Sequence, residues 1–385
     1  MTGPRYDAVV IGAGVIGLSV AWRAARRGLT VAVADPAPAS GATNVAAGML
    51  TPVSEAAYGE EALLRLGLAS LERYPAFARE LADQSGEPTG FRPTGTLQVA
   101  YDHDDLAVLH RLHDFQRSLG VPAERVTGSE ARALEPMLAP SVRGGVHVPG
   151  DGSIDPRMLA RALLAAVSGS GVTLHRQPVR EIITSAAPAR AAGARLADGT
   201  ELLAGAVVVA AGWRSGELGG LPAGAVPPVR PVKGQVLRLR GPAEPTLITR
   251  SVRGIVRGSS IYLVPRANGD LVVGATQEEM GADTRTTAGG VWELLRDARE
   301  LVPGITELEF TGAVAGLRPC APDNAPVLGP SSLPGLVLAT GHFRGGVLLA
   351  PVTADVIAEF LATERLPQMA ADFTAARFEE ASQWT

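Results

Sequence analysis

The N-terminal part of the chain alternates apolar runs with glycine-rich breaks. Residues 6–11 form a continuous apolar run, as expected for a strand that is buried on both faces of a parallel sheet. The glycine turn 12–17 (GAGVIG) follows, and then an alanine-rich segment with helical spacing that Gly28 ends. A second apolar run at 29–34 leads into Asp35. The pattern predicts a strand, a glycine turn, a helix and a second strand followed by an acid.

The middle of the chain is predicted to be helical first and then to return to strands. Residues 54–135 have mainly helical character, with Pro75 interrupting one helix. Asp155 is predicted to cap a helix that starts at Pro156 and runs to about residue 167. Strands are predicted at 172–175, 179–184, 194–196 and 206–211.

From residue 232 onward, apolar and polar positions alternate as in an antiparallel sheet. Strands are predicted at 236–239, 261–264 and 271–274, the last two paired across an Asn-Gly turn at 268–269. A helix near 288–301 and a strand near 308–315 precede the last glycine-rich turn, 339–347.

This order of elements predicts an α/β fold, α+β overall, in which a discontinuous Rossmann-like cofactor domain holds an inserted substrate domain on an antiparallel or mixed sheet. Parallel-type strands lie at the start, middle and end of the chain, with helical and antiparallel material between them. The cofactor-binding domain is expected to comprise 1–53, 145–220 and 310–365. The substrate-binding domain is expected at 54–144 and 221–309, and a C-terminal tail at 366–385.

The glycine turn and the acid after the second strand together indicate dinucleotide binding. Gly12 permits the tight turn, Gly14 lets the backbone approach a pyrophosphate, and Gly17 lets helix and strand pack closely. The start of the helix offers unpaired N–H groups to phosphates. Asp35, 21 residues past Gly14, is placed to accept from a ribose hydroxyl.

Composition removes several other classes of function. The chain carries 35 basic and 39 acidic residues, a net charge of −4, which does not favour a nucleic-acid partner. Its one cysteine, Cys320, excludes a disulfide framework, and its one lysine, Lys233, lies outside any P-loop motif. No apolar run is long enough to span a bilayer, so we expect no membrane partner and a cytoplasmic location.

Several motifs in order resemble the FAD-dependent amino-acid and amine oxidases of the D-amino-acid oxidase family, and within it the glycine oxidases of thiamine thiazole synthesis. The resemblance covers nearly the whole chain. The motifs are VVIGAGVIGLS at the start, AAGML ending at Leu50, VVVAAGW ending at Trp213, PVKGQ ending at Gln235, IYLVPR ending at Arg266, VVGAT ending at Thr276, AGLRP ending at Pro319 and GHFRGGVLLAP ending at Pro351.

The resemblance implies non-covalently bound FAD and assigns the residues that hold it. The second glycine-rich segment is expected at a helix N-terminus, facing the N1 and O2 region of the flavin. The implied cofactor residues are Gly12, Gly14, Val15, Ile16, Gly17, Asp35, Thr43, Asn44, Ala47, Gly48, Met49, Val179, Gly212, Trp213, His342, Phe343, Arg344, Gly345, Gly346, Val347 and Leu348.

On the substrate side, the resemblance implies that Arg318 and Tyr262 hold the carboxylate of an amino acid, because a guanidinium grips a carboxylate at two points. Arg344 is implied as a second arginine near the flavin ring or the pocket. The family reaction moves a hydride from the α-carbon to flavin N5, and oxygen then reoxidises the flavin. Glycine would give an imine and then glyoxylate and ammonia, and oxygen would be reduced to hydrogen peroxide.

 

The reaction would supply thiamine thiazole synthesis. A D-amino-acid or sarcosine oxidase, or a related dehydrogenase that passes electrons to a quinone, remains an alternative. Partners are expected to be a small amino acid and oxygen, and the sequence leaves self-association into a homo-oligomer open.

The same residues also permit structural interpretations. Arg318 could be a structural arginine near a turn, and Tyr262 a packing residue of its strand. Lys233 could suggest a Schiff base, which a flavin enzyme does not need. The histidines and acids of residues 102–114 fit a solvated helix and its cap better than a metal site, so no metal is expected. Cys320 is expected to be a free buried thiol.

Overall fold

The computed structural model describes residues 5–186 and 189–378. Within these residues the strands are β1 (Arg5–Ile11), β2 (Val31–Ala34), β3 (Met49–Leu50), β4 (Thr96–Ala100), β5 (Glu124–Thr127), β6 (Gly144–Val148), β7 (Gly152–Ser153), β8 (Thr173–His175), β9 (Val179–Ala186), β10 (Ala189–Leu196), β11 (Glu201–Val209), β12 (Arg230–Arg240), β13 (Ser251–Val256), β14 (Ser259–Pro265), β15 (Asp270–Gly274), β16 (Glu309–Cys320), β17 (Val327–Pro330) and β18 (Leu336–Thr340). The helices are α1 (Val15–Arg26), α2 (Ala42–Val45), α3 (Glu61–Ser85), α4 (His103–Ser118), α5 (Gly128–Leu134), α6 (Pro156–Gly169), α7 (Ala288–Leu301) and α8 (Ala350–Thr363).

The first sheet joins strands from the start, middle and end of the chain. Its main order is β17-β18-β11-β1-β2-β8, in which every pair except β17–β18 is parallel, and β10 and β9 extend it from β11 as antiparallel neighbours. Helices α1, α3, α6 and α8 contribute to one apolar core with residues of β1, β2 and β18. The predicted discontinuous α/β unit is confirmed.

The second sheet has the order β16-β12-β15-β14-β13-β4-β6-β5. All its pairs are antiparallel except β13–β4, so it is a mixed sheet of the predicted kind. The β14–β15 hairpin turns at Asn268 and Gly269, as predicted from the sequence. Leu294, Ala298 and Leu301 of α7 pack in the core on one face of this sheet.

The two sheets do not divide the chain at the expected domain boundaries, and three segments show the difference. Strands β6 and β16 pair within the second sheet, although residues 145–148 and 310–320 were assigned to the cofactor domain. Strand β16 runs antiparallel to the whole of β12, and this long-range pairing has no local signal in the sequence. Helix α3, expected in the substrate domain, buries its apolar face in the core of the first sheet.

The region 54–135 is also less helical than predicted. It contains β4 and β5, and Pro75 lies inside the continuous helix α3 instead of interrupting it. A proline inside a helix costs about 3 kcal/mol. The buried side chains of Tyr74, Phe77 and Leu81 on the same helix offset that cost by packing into the core.

The expected C-terminal tail is partly integrated into the fold. Ala370 and Phe373 are buried in the core of the first sheet, and residues 379–385 of this segment lie outside the described residues. Among the helices described, none is long and apolar enough to cross a membrane.

Candidate active site

A cavity of about 1210 Å³ lies between the two sheets and is lined by both. The first sheet contributes the turn after β1 and the acid after β2, and the second sheet contributes side chains of β13, β14 and β16. The predicted cofactor and substrate residues therefore meet at one cavity.

The glycine turn forms one end of this cavity as the sequence predicts. Gly12 has φ +103°, and a Cβ there would lie 2.8 Å from the carbonyl carbon of Ala210. Gly14 caps α1 without any side-chain hydrogen bond, and the first turn of α1 carries no acid. A helix N-terminus that lacks a capping side chain of its own has free N–H groups suited to phosphate oxygens. Gly14, Val15 and Ile16 line the cavity here.

Asp35 holds the glycine turn in place while it faces the cavity. Its Oδ2 accepts from the Ala13 amide at 2.7 Å, and its Oδ1 accepts from the Ala37 amide at 2.7 Å. A carboxylate has about four lone-pair sites, so further donors can still bind. Thr43 also lines the cavity, and its Oγ1 accepts from the Val15 amide at 2.9 Å.

The segment ending in β3 forms the floor beside the turn. Ala47, Gly48 and Met49 line the cavity, and Gly48 has φ +76°. The buried side chain of Arg266 donates from Nη2 to the Ala47 carbonyl at 2.6 Å, and the Gly48 carbonyl accepts from the Ile154 amide at 2.8 Å. This backbone is therefore fixed by residues of other elements. Val179, Gly212 and Trp213 also reach the cavity, as predicted.

The second glycine-rich segment lies between β18 and α8. His342, Phe343, Gly346 and Val347 line the cavity, as does Arg344. Burial lowers the pKa of His342 to about 3, so its imidazole is neutral, and its Nε2 lies 3.0 Å from the Thr353 hydroxyl.

Helix α3 supports this segment from the core side. The Tyr74 hydroxyl donates to the Val347 carbonyl, and the Ser70 hydroxyl donates to the Leu348 carbonyl at 2.6 Å. These bonds explain why α3 belongs with the first sheet.

Four of the predicted cofactor residues do not line the cavity. Gly17 packs against the Gly12 carbonyl, which is the close helix–strand contact predicted for it. Asn44 is exposed, with its carbonyl bound by Arg238 at 2.7 Å. Gly345 and Leu348 face the groove beneath α3 instead, because the chain turns toward α8 at this point.

Arg318 and Tyr262 lie on the cavity face of the second sheet, each against a glycine. A Cβ on Gly234 would lie 2.5 Å from the Arg318 Cζ, and a Cβ on Gly274 would lie 2.5 Å from the Tyr262 Cζ. Gly234 and Gly274 lie in the motifs PVKGQ and VVGAT but were not among the predicted site residues. Their importance follows from strand pairing, because Gly274 is the register partner of Tyr262.

Two backbone carbonyls anchor the guanidinium of Arg318. Its Nη1 donates to the Lys233 and Thr276 carbonyls, both at 3.2 Å. Within residues 5–186 and 189–378, no carboxylate lies within ion-pair distance of it. Burial raises the pKa of Tyr262 although the charge of Arg318 opposes this, so the hydroxyl keeps its proton. A fixed cation and a neutral hydroxyl beside each other can both bind a carboxylate.

Sequence reasoning missed a second group of charges in the cavity wall. Arg253 Nη1 lies 2.5 Å from Glu55 Oε1, and both residues line the cavity. Arg344 lies nearby, with its Nε 3.9 Å from Glu55 Oε2 and its Nη2 3.6 Å from Glu60 Oε2. Arg253 had no motif signal, because it is one polar position in an alternating strand.

Lys233 faces away from the cavity. It is fully buried on the other face of β12, with Nζ 3.4 Å from Glu278 Oε2 and 3.7 Å from Asp283 Oδ2. A Schiff base with a molecule in the cavity is therefore not accessible to it. Cys320 is a free buried thiol, as predicted, and its Sγ lies 3.0 Å from Asn324 Oδ1.

The histidine-rich segment is helix α4, which Asp102 caps as predicted. It is not uniformly solvated, because His113 and Asp105 are buried. His113 Nε2 lies 3.1 Å from the Ala123 carbonyl, and Asp105 accepts from the Arg257 amide at 2.9 Å. In the described part of the chain, no group of three or more His, Cys, Asp or Glu residues is arranged to hold a metal ion.

Comparison with known proteins places this site in a family. The model of the FAD dependent oxidoreductase family (DAO) matches residues 7–360. The glycine oxidase of Geobacillus kaustophilus (strain HTA426) is 34% identical over 360 residues, which cover 93% of each chain. A crystal structure of glycine oxidase from Geobacillus kaustophilus superposes with a TM-score of 0.89 at 33% identity, covering 97% of this chain and 99% of that one.

Two further relatives are not named glycine oxidase. The bifunctional protein ThiO/ThiG of Trichormus variabilis (strain ATCC 29413 / PCC 7937) is 33% identical over 380 residues, 98% of this chain and 56% of that protein. The hydrogen cyanide synthase subunit HcnC of Pseudomonas aeruginosa (strain PAO1) is 30% identical over 411 aligned residues, 97% of this chain and 96% of that protein.

The chain belongs to the FAD dependent oxidoreductase family. It is an FAD-dependent oxidase that acts on the C–N bond of amines. The residues present fit FAD, since the N-terminus of α1, the Asp35 carboxylate and the glycine-rich segment before α8 face the same cavity.

Proposed function

We propose that the protein oxidises glycine, or another small amino acid or amine, to the imine. With glycine, water then converts the imine to glyoxylate and ammonia, while oxygen is reduced to hydrogen peroxide. The observation that carries the proposal is the Arg318 guanidinium beside Tyr262, which has no carboxylate partner among the described residues. It lies in a cavity that Gly12 and Asp35 line from the other side.

The roles of the two sheets follow from this proposal. Residues of the first sheet hold FAD without a covalent bond, and residues of the second sheet hold the substrate. Arg318 and the Tyr262 hydroxyl bind the substrate carboxylate, which orients the amine-bearing carbon. FAD, when bound, supplies the redox chemistry by accepting a hydride. Arg344, on the segment before α8, contributes positive charge at the edge of the cavity.

Glycine is the leading substrate because a glycine oxidase, that of Geobacillus kaustophilus, is 34% identical over 93% of each chain. Supply of thiamine thiazole synthesis is the proposed metabolic role, and the name of the ThiO/ThiG relative supports it. A cytoplasmic location is part of the proposal and agrees with the free thiol of Cys320.

Oxygen uptake by the purified holoprotein tests the proposal, with glycine, sarcosine, D-alanine and methylamine compared at equal concentrations. We expect glycine to give the highest kcat/KM and hydrogen peroxide to form in step with oxygen consumption. Preference for sarcosine or D-alanine would move the assignment to the related oxidases. Turnover with a soluble quinone but not with oxygen would identify a dehydrogenase, and inactivity with every amine would contradict the proposal.

A further inference from the structure

The pair formed by Arg253 and Glu55 lies in the wall of the cavity next to the predicted carboxylate site. Arg253 on β13 is the register partner of Tyr262 on β14, and register partners project from the same face of a sheet. The side chains of Arg253 and Glu55 are each 24% exposed, and both line the cavity. Their charges therefore face a bound substrate and not only bulk water.

Glu55 is held firmly in this position. Its amide donates to the Thr51 carbonyl at 3.0 Å. The preceding residue, Ser54, donates its hydroxyl to the buried carboxyl of Asp151, and the Ser54 carbonyl accepts from Gln98 Nε2 at 3.0 Å. Glu55 is thus a fixed anion between two guanidinium groups, those of Arg253 and Arg344.

Arg253 and Arg318 lie on opposite sides of Tyr262. The strand order is β16-β12-β15-β14-β13, and the Arg318 guanidinium lies over Gly234 of β12. The Tyr262 side chain reaches over Gly274 of β15. Arg253 projects from β13, on the other side of β14. The charges of Arg318, Arg253 and Glu55 all act on the pKa of the Tyr262 hydroxyl, so the two cations face the same part of the cavity.

We infer that Glu55 determines specificity by cancelling the charge of Arg253, so that the cavity accepts amines with one carboxylate and disfavours those with two. The inference rests on the proposed function, in which Arg318 binds the first carboxylate. Without the Glu55 charge, Arg253 is free to bind a second carboxylate. With the Glu55 charge present, a second carboxylate meets a guanidinium that Glu55 already pairs and is repelled by the Glu55 carboxylate.

The test replaces Glu55 with the uncharged side chain of the same shape and measures binding and turnover separately. Calorimetry on the holoenzyme compares acetate with malonate, and initial rates compare glycine with iminodiacetate. We expect Glu55→Gln to raise the affinity for malonate relative to acetate about tenfold, equivalent to about 1.4 kcal/mol. The kcat/KM for iminodiacetate relative to glycine should rise by a similar factor, mainly through KM.

Three further variants make the test specific. Glu60→Gln removes the same charge beside Arg344 but leaves the Arg253 pair intact, so the malonate preference should not change. Glu55→Gln combined with Arg253→Met should lose the gain. Arg253→Met alone should weaken malonate relative to acetate, which provides a second measurement should Glu55→Gln fold poorly.

An unchanged malonate-to-acetate ratio in Glu55→Gln would overturn the inference, as would an equal gain in Glu60→Gln or a gain that survives Arg253→Met. These outcomes are independent of turnover. If the wild type oxidises none of the amines, the proposed function fails, and the binding ratios still decide whether Glu55 masks Arg253.

Discussion

At the residue scale, the site combines permanent charges with side chains that stay neutral. Burial lowers the pKa of His342 to about 3, so the imidazole stays uncharged in neutral solution. Burial raises the pKa of Tyr262, so its hydroxyl keeps its proton. The guanidinium of Arg318 supplies the positive charge of the site. The predicted carboxylate site is therefore insensitive to pH across the range in which enzymes are usually assayed.

Asp35 has two roles, and its replacement tests both. Asp35→Ala removes the predicted hydrogen bond to ribose and the acceptor for the Ala13 and Ala37 amides. A hydrogen bond to a charged group contributes about 1.5 to 3 kcal/mol, so FAD affinity should fall at least tenfold. The ratio of flavin to protein absorbance in the purified variant measures this.

Asp7→Ala is the matched control for Asp35→Ala. Asp7 is also an aspartate of the first sheet whose carboxylate accepts from a backbone amide, that of Thr30 at 2.7 Å. Unlike Asp35, it does not line the cavity. It should purify with normal flavin content. Full FAD occupancy in Asp35→Ala would show that Asp35 does not bind the ribose.

At the scale of elements, β12 and β15 make room for the substrate residues of β16 and β14. Gly234→Ala and Gly274→Ala would each place a methyl group within 2.5 Å of the Arg318 or Tyr262 Cζ. We expect kcat/KM for glycine to fall at least tenfold in each, because the side chains must move from their positions. FAD content should be unchanged, since neither glycine touches the turn after β1.

Gly289→Ala serves as the control, because a Cβ at this position in α7 meets no atom within 4 Å. Its kinetics should equal those of the wild type. Normal glycine kinetics in both Gly234→Ala and Gly274→Ala would show that the two side chains are not constrained as the structure indicates.

The buried Asp151 links the turn before β7 to the loop that carries Glu55, and it should make stability depend on pH. Burial raises the pKa of Asp151 to about 7, although hydrogen bonds from Ser54 oppose this. In the unfolded chain an aspartate titrates near 3.9. Between these values the folded protein holds a proton that the unfolded chain has lost, so stability falls as pH rises from about 4 to about 7.

The melting temperature of FAD-saturated protein between pH 5 and pH 8 measures this effect. Over that interval the free energy of unfolding of the wild type should fall by roughly 2 kcal/mol relative to that of Asp151→Asn, and its melting temperature should fall with it. Above pH 8 the two profiles should run parallel. Parallel profiles over the whole range would mean that Asp151 is ionised throughout.

Local signals in the sequence predicted some elements well and others not at all. The turn between β1 and α1, the Asp155 cap of α6 and the β14–β15 hairpin depend on neighbouring residues, and all three are confirmed. Strands β4 and β5 were missed because their pairing partners are distant in sequence. For the same reason the Arg253–Glu55 pair carried no signal. Gly234 and Gly274 belong to the motifs PVKGQ and VVGAT, but strand register alone places them beneath Arg318 and Tyr262.

At the scale of the whole molecule, the cavity depends on both sheets, and each sheet is assembled from separated segments of the chain. FAD in this cavity should therefore stabilise the folded state, and its removal should lower the melting temperature. We also expect the flavin to be bound non-covalently, because Cys320 packs with Val232 and Phe343 and does not line the cavity.

Acid precipitation of the yellow holoprotein distinguishes the two modes of flavin attachment. The flavin should appear in the supernatant, and the apoprotein made by a milder release should melt at a lower temperature than the holoprotein. Colour retained in the pellet would indicate a covalent bond. Equal melting temperatures for the two forms would mean that FAD does not bridge the two sheets.

The most direct test of the central claim is the discrimination between glycine and methylamine by the wild type and Arg318→Ala. Losing the guanidinium leaves the substrate carboxylate unpaired, at a cost of about 2 to 5 kcal/mol, or roughly 30-fold to several thousandfold in kcat/KM for glycine. Tyr262→Phe removes one hydrogen bond and should lose less. The wild type should prefer glycine strongly, and Arg318→Ala should narrow that preference while still binding FAD. Equal kcat/KM for glycine in wild type and Arg318→Ala would contradict the account.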